Sequence, residues 1–233
     1  MRRIVFAAIV TVAAGAVVMA SQAGQASTTP APQAALSAQA RPLPPSPAGT
    51  AATQVSGRWV EEQVQGQATK VTRYREGKWI SVEYSRPILR GRTDIFGKGA
   101  DYGKTVNAGS PVWRAGANQT TRLKTEAPLV IGGKTVPAGE YSVFVDLKEG
   151  AWTLILSTQP YQKTYVPSNK TDTWGSENYD PKFDVARSPM TVTAGTTSVD
   201  QFTIGFVNMT PQGGTLAMWW EKTAATADFT VGR

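Results

Sequence analysis

Four arginines and one asparagine are the strongest candidates for a binding site in this chain of 233 residues. They are Arg86, Arg92, Arg114, Arg187 and Asn118. An arginine presents a planar fork of N–H donors that can hold a carboxylate, phosphate or sulfate through paired hydrogen bonds. Most of these residues lie in the stretch 84–121, which is dense in Gly and Pro. The pattern therefore predicts recognition of an anionic group.

Aromatic and acidic residues extend this candidate site. Trp113 and Trp174 would form the walls of a pocket, and Tyr179 and Asp184 would add polar groups to it. The predicted ligand is small and either anionic or carbohydrate-like. The alternative is structural, because an arginine beside Glu83 or Asp184 can pin a loop to the fold and satisfy backbone carbonyls.

Two other functions stay open at this level. The acids Asp172, Glu177, Asp180 and Asp184 share one loop and could supply the carboxylate pair of a glycoside hydrolase-like enzyme, although their spacing favours a solvated loop equally. A structural module that docks an envelope protein partner through a sheet edge or the Trp220 face is the third interpretation.

The chain contains no histidine and no cysteine. Triads that use histidine, histidine-bound zinc, thiolate nucleophiles and disulfides are therefore excluded. Gly132-Gly133-Lys134-Thr135 ends like a phosphate-binding loop, but Pro128 stands where the first glycine of that motif belongs. No motif indicates a cofactor or a metal site, and the composition favours a non-catalytic protein.

The formal net charge is +7, and the basic excess lies in residues 57–124. Such an excess fits an anionic ligand or surface, but it is also explained if the two halves of the chain pack together and neutralise each other. No long basic run or nucleic-acid-binding motif is present, so no nucleic acid partner is expected.

Alternating apolar and polar residues predict strands along most of the chain after position 57. Residues 68–75 and 78–85 predict a hairpin, 129–131 and 134–136 a second one around Gly132-Gly133, and 141–147 with 151–157 a third. Further strands are predicted at 198–208, 215–222 and 227–231. These segments predict an all-β fold, a single antiparallel β-sandwich of jelly-roll type.

Tryptophans in the predicted strands are assigned to faces by the same alternation. Trp79 and Trp152 alternate with aliphatic residues and are predicted to lie in the core. Trp219 and Trp220 must point to opposite faces, so we expect at least one of them to face solvent or a loop.

The N-terminal residues predict an exported protein. Residues 1–26 have the charged start, short apolar run and small-residue cleavage sites of a signal peptide. Residues 27–56 are rich in Ala, Pro and Gln and predict a disordered linker, which leaves 57–233 as the β-sandwich domain. We expect a periplasmic or secreted location after cleavage, with no membrane span in the mature protein.

Several short motifs resemble those of the bacterial DUF2911 family, a domain of unknown function, over about residues 68–231. The matching segments are Tyr84-Ser85-Arg86-Pro87, Gly91-Arg92, Ile95-Phe96-Gly97, Tyr102-Gly103-Lys104, Val112-Trp113-Arg114, Gly116-Ala117-Asn118, Gly132-Gly133-Lys134, Pro137-Ala138-Gly139, Tyr141-Ser142, Trp152, Trp174-Gly175, Tyr179-Asp180, Asp184 and Arg187. The chain departs from the family pattern by one extra residue between Arg92 and Phe96 and by insertions at 105–111 and 159–170. The resemblance implies an exported all-β domain and implies no reaction.

Overall fold

The computed structural model of the protein describes residues 46–232. The predicted signal peptide and the predicted linker up to position 45 lie outside these residues. The described part is built from strands and turns. Its strands are β1 (Ala48–Val55), β2 (Arg58–Glu62), β3 (Val71–Arg75), β4 (Lys78–Ser85), β5 (Thr121–Thr125), β6 (Leu129–Ile131), β7 (Lys134–Val136), β8 (Gly139–Asp146), β9 (Thr153–Ser157), β10 (Asp184–Pro189), β11 (Thr191–Thr210) and β12 (Gly213–Val231). One helical turn, α1 (Lys104–Asn107), and two 3-10 turns (Gly99–Asp101 and Pro181–Phe183) lie in the connections.

Ten of these strands form two antiparallel sheets. The first has six strands in the order β1-β4-β5-β8-β9-β10, and the second has four in the order β11-β12-β6-β7. At one side of the sheets β1 lies beside β11, and at the other β10 lies beside β7. The predicted all-β sandwich is confirmed, and its jelly-roll connectivity stays a prediction.

The core follows the alternation of side chains along each strand. On β4, Ile80 and Val82 are fully buried, whereas Trp79, one position out of phase, is 51 % exposed. The prediction that Trp79 lies in the core was therefore wrong, because Ile80 and Val82 fix the inward face of β4. Trp152 is buried as predicted, and Trp220 is buried while Trp219 is half-buried.

Strand β1 corrects the predicted extent of the linker. Ala48–Val55 was assigned to the disordered segment 27–56, but it pairs with β4 along its whole length, from Ala48 opposite Ser85 to Val55 opposite Lys78. Its residues are mostly small, so the hydrophobic pattern gives no sign of it. The strand is held mainly by the backbone hydrogen bonds of the ladder.

Strand pairing corrects one predicted hairpin and confirms two. Strands β3 and β4 follow each other along the chain, but β3 pairs with β2 and β4 pairs with β1 and β5. The predicted hairpin between them was therefore wrong. The hairpins β6–β7 and β8–β9 are confirmed. The last three predicted strands belong to one long hairpin, β11–β12, whose register shifts at bulges.

Candidate functional site

The connection between β4 and β5 carries most of the predicted site residues and is fastened to β11. Pro87 stops β4 from continuing because it lacks an N–H donor. Arg86 then donates from Nε to the carbonyl oxygen of Phe202 over 3.2 Å and from Nη2 to Oγ1 of Thr203 over 3.0 Å. The backbone N–H of Leu89 donates to the carbonyl oxygen of Asp200 over 2.8 Å. Arg86 is thus held by β11 and does not line the pocket described below.

A carboxylate on β12 fixes the next part of this connection. Glu221 accepts hydrogen bonds from the backbone N–H of Asp94 over 2.7 Å and from that of Ile95 over 3.0 Å. Asp94 has a left-handed φ of 51°, and Glu221 itself has a φ of 53°. Successive N–H groups in such a turn form a concave binding place for an anion, which Glu221 fills from within the protein.

Five aromatic rings anchor the same connection in the core. They are Phe96, Trp113, Trp152, Phe202 and Trp220. The ring centres of Phe96 and Trp152 lie 4.7 Å apart, and those of Trp113 and Phe202 lie 4.9 Å apart. Trp113 is only 1 % exposed, and its Nε1 donates to the carbonyl oxygen of Gly116 over 3.2 Å. Trp113 is therefore chiefly a core residue.

A pocket of about 250 Å³ opens beside this aromatic cluster. It is lined by Ser46, Pro87, Arg92, Val106, Trp113, Arg114, Gly116, Ala117, Asn118 and Trp220. A second hollow of about 340 Å³ adjoins it through Ser46, Pro87 and Arg92, and this hollow also reaches Arg90. Among residues 46–232, no acidic side chain lines either hollow. The two hollows together present a concave surface whose charged side chains are all arginines. We call this surface the arginine pocket.

Arg114 is the most buried of the arginines in the arginine pocket. Its guanidinium is half-buried, and its Nη1 donates to the carbonyl oxygen of Asn118 over 3.1 Å. Among residues 46–232 it takes part in no ion pair. Burial lowers the pKa of Arg114, and the more distant charge of Glu177 opposes this effect. Burying a charge without a partner costs free energy, because the charge loses its hydration. An anion bound in the pocket would compensate Arg114 for this lost hydration.

Gly175 leaves room for the Arg114 guanidinium. A Cβ at this position would lie 2.7 Å from Cζ of Arg114 and 2.8 Å from the carbonyl oxygen of Asn118. The residue has a left-handed φ of 59°, which further favours glycine here. The neighbouring Trp174 packs against Tyr165 at a ring-centre distance of 5.6 Å and does not line the pocket.

Arg92 contributes a second cation with unused donors. Its Nε donates to the carbonyl oxygen of Leu89 over 3.0 Å and its Nη2 to that of Ile88 over 2.9 Å. These bonds hold the side chain against its own loop, as the structural alternative predicts. Because a guanidinium has five N–H donors, part of the fork stays available to a ligand.

Trp220 adds a buried donor that the sequence interpretation did not assign to this site. The residue is 4 % exposed and lines the pocket, and its Nε1 has no hydrogen-bond partner among the described residues. Buried indole N–H groups usually find a partner. Trp220 was missed because it lies more than 100 positions after Arg114, so no local spacing connects them.

Three other predicted residues, Tyr179, Asp184 and Arg187, form a separate network at the start of β10. Tyr179 donates to Oδ2 of Asp184 over 2.6 Å, and Nη1 of Arg187 donates to the same oxygen over 2.7 Å. Nη2 of Arg187 also reaches Oδ2 of Asp146 over 3.2 Å. Burial is the main cause that raises the pKa of Tyr179, and the hydrogen bond to Asp184 raises it further. None of these residues lines the arginine pocket, so the structure does not bring all the predicted site residues together.

Three of the acids of the proposed hydrolase site have hydrogen-bonding partners within their own loop. Asp172 accepts from Asn169 over 2.9 Å, Asp180 accepts from the backbone N–H of Lys182 over 3.0 Å, and Asp184 is bound as described above. Among residues 46–232 no cluster of three or more acidic side chains has the geometry to hold a metal ion. No helix in the same range has the length and apolar character to cross a membrane.

A family model described as a protein of unknown function (DUF2911) matches residues 66–229. No curated protein and no solved structure matches the chain. The matched range includes every predicted site residue and Trp220, and it excludes β1 and β2.

Proposed function

We propose a function for this chain as a member of the DUF2911 family, a family of unknown function to which it belongs. The proposed function is that of a non-catalytic binding protein for a small anionic ligand. The ligand enters the arginine pocket and contacts Arg114, Arg92 and Asn118. We further propose, from the N-terminal sequence, that the protein works outside the cytoplasm.

The half-buried guanidinium of Arg114, which has no acidic partner among residues 46–232, carries this proposal. Arg187 gives a contrast within the same protein, because its guanidinium is shared between two carboxylates. A structural arginine is expected to spend at least two of its donors on the protein, as Arg187 does with carboxylates and Arg86 does with β11. Within the described part of the chain, Arg114 instead has a hydrogen-bond acceptor for only one of its donors, and the hollow of about 250 Å³ beside it has no acidic lining.

The shape of the arginine pocket limits the ligand. A hollow of about 250 Å³ holds a single carboxylate, sulfate or phosphate group on a small carrier, and the adjoining hollow gives the carrier room beside Ile88 and Leu89. An anionic monosaccharide such as a uronic acid has a suitable size and charge. Nε1 of Trp220, which has no hydrogen-bond partner among residues 46–232, supports a ligand that brings hydrogen-bond acceptors.

The test is a thermal-shift series on the purified domain with sodium sulfate, phosphate and glucuronate, against sodium chloride at matched ionic strength. A ligand at 100 times its Kd stabilises the native state by about 2.7 kcal/mol. For a domain of this size that raises Tm by about 5–10 °C. Calorimetric titration of the best anion then gives its stoichiometry.

Arg114→Gln should abolish the shift and leave the Tm of the unliganded protein unchanged or slightly higher, because it removes an unpaired half-buried charge. Lys124→Gln is the matched control, because it makes the same change in net charge at an exposed position on β5. Binding that survives in Arg114→Gln, or no shift with any of the three anions, would contradict the proposal.

A further inference from the structure

A separate cleft lies between the hairpin β2–β3 and the turn that joins β11 to β12. It has a volume of about 300 Å³. Its lining residues are Gln54, Trp59, Tyr74, Met209, Thr210 and Pro211. None of these side chains carries a charge, although the chain as a whole has a net charge of +7.

Trp59 is the most exposed large hydrophobic side chain among the described residues, at 69 %. It lies directly opposite Tyr74 in the β2–β3 ladder, and the two rings meet edge to face with their centres 5.2 Å apart. The hydroxyl of Tyr74 is fixed, because it accepts a hydrogen bond from the backbone N–H of Gly57 over 2.9 Å. This contact orients Trp59 while leaving most of its indole open to solvent.

The charges next to the cleft are already paired with one another. Arg58 lies 2.9 Å from the carboxylate of Glu76, and Arg75 is bound to Glu62 on the neighbouring strand. The hairpin therefore offers no free cation to attract an anion or a nucleic acid at this place. A neutral ligand fits these surroundings better than a charged one.

The cleft combines an open aromatic face with a few polar groups. Gln54 presents an amide, and Met209 and Pro211 complete the apolar wall. The hydroxyl of Thr210 donates to the carbonyl oxygen of Gly213 and accepts from the backbone N–H of Gln212, each over 3.3 Å, so it keeps one lone pair for a ligand. A pyranose ring has a face of C–H groups and a rim of hydroxyls. An exposed indole beside an amide and a hydroxyl is complementary to both parts.

We propose that this cleft binds a neutral saccharide, with one pyranose ring stacked on Trp59 and its hydroxyls hydrogen-bonded to Gln54 and Thr210. A protein partner is less consistent with the lining, because a stable interface needs about 20–30 residues from each side. The cleft offers six uncharged residues, ringed by ion pairs. This site is independent of the arginine pocket.

The test is calorimetric titration of the whole domain with neutral oligosaccharides, namely the hexaoses of cellulose, xylan, chitin and starch, at low-millimolar concentration. At least one should bind. Trp59→Ala should weaken that binding about tenfold or more, as expected from the loss of a stacked aromatic contact. Tyr165→Ala is the matched control, because Tyr165 is also an exposed aromatic residue, at 45 %, but does not line this cleft.

Trp59→Ala could weaken binding merely by disturbing the hairpin β2–β3. Gln54→Leu is a second test of the site, because it removes an amide on β1 and changes no residue of β2 or β3. It should also weaken binding, and Arg114→Gln should leave binding intact. Three results would overturn the proposal: none of the oligosaccharides binds, the bound one binds Trp59→Ala equally well, or a peptide of residues 41–47 (RPLPPSP) binds where the sugars do not.

Discussion

The turn between β6 and β7 gives a quantitative test of how the two sheets meet. Gly132 and Gly133 are adjacent, and both have left-handed φ angles, 55° and 75°. A Cβ on Gly132 would collide with the backbone of β10, lying 2.8 Å from the carbonyl carbon of Arg187 and 2.9 Å from Cα of Ser188. A Cβ on Gly133 would meet nothing within 4 Å. The two glycines share one backbone requirement and differ in their surroundings.

Alanine at either position forces a left-handed conformation on an L-residue, which costs about 1–2 kcal/mol. At Gly132 the collision adds about 1–3 kcal/mol, because the atoms in the way belong to a strand backbone and not to a flexible side chain. We therefore expect Gly133→Ala to destabilise the domain by about 1–2 kcal/mol and Gly132→Ala by about 2–5 kcal/mol. The corresponding falls in Tm are about 2–8 °C and about 4–20 °C.

Urea and thermal unfolding, each followed by circular dichroism and by tryptophan fluorescence, would measure both losses. Asparagine separates the two causes, because it tolerates left-handed φ better than alanine does. Gly133→Asn should be nearly neutral, whereas Gly132→Asn should still be strongly destabilised. Equal losses at the two positions would refute the close approach of this turn to β10.

Two further predictions concern polar groups described above. Because the pKa of Tyr179 is raised, the folded protein binds the phenolic proton more tightly than the unfolded chain does. The stability that this protonation contributes is fully present below the ordinary tyrosine pKa of about 10. It is lost as the pH rises from there towards the pKa of Tyr179 in the folded protein. Tyr179→Phe should therefore reduce the loss of stability above about pH 10 in urea titrations, and an equally steep loss would show that Tyr179 is not its source. Glu221→Ala leaves the backbone N–H groups of Asp94 and Ile95 without their acceptor, which should cost about 1–3 kcal/mol. Amide hydrogen exchange at Ile95 should become faster, and unchanged protection would count against the contact.

The parts of the fold that the sequence predicted correctly are local. The turn at Gly132-Gly133 and the hairpin β8–β9 depend on residues within a short stretch, and both are confirmed. The pairing of β4 with β1 and β5 depends on distant segments, so the apparent hairpin with β3 was misleading. Strand β1 was missed because backbone pairing can hold a strand whose side chains are too small to reveal it.

The candidate site divides in the same way. Arg92, Trp113, Arg114 and Asn118 line one pocket because a single connection carries them. Tyr179, Asp184 and Arg187 were predicted to join them, but their short spacing brings them to one another instead. Trp220 completes the pocket from β12. Whether residues from distant segments line the same pocket is decided by the pairing of strands that are far apart in the chain. Hydrophobic periodicity carries no information about that pairing.

The fastening of the β4–β5 connection has a consequence for the order of folding. Arg86 binds a residue 116 positions later, and Asp94 is held by one 127 positions later. Contacts of such separation require the closure of long loops and tend to form late. A chain that has been synthesised only as far as Gln212 contains every arginine of the pocket. It still lacks β12, the strand that carries Glu221 and Trp220. The proposed ligand binding is therefore expected to begin only after β12 has been synthesised, and an early stop codon before β12 should abolish it even though no arginine of the pocket is lost.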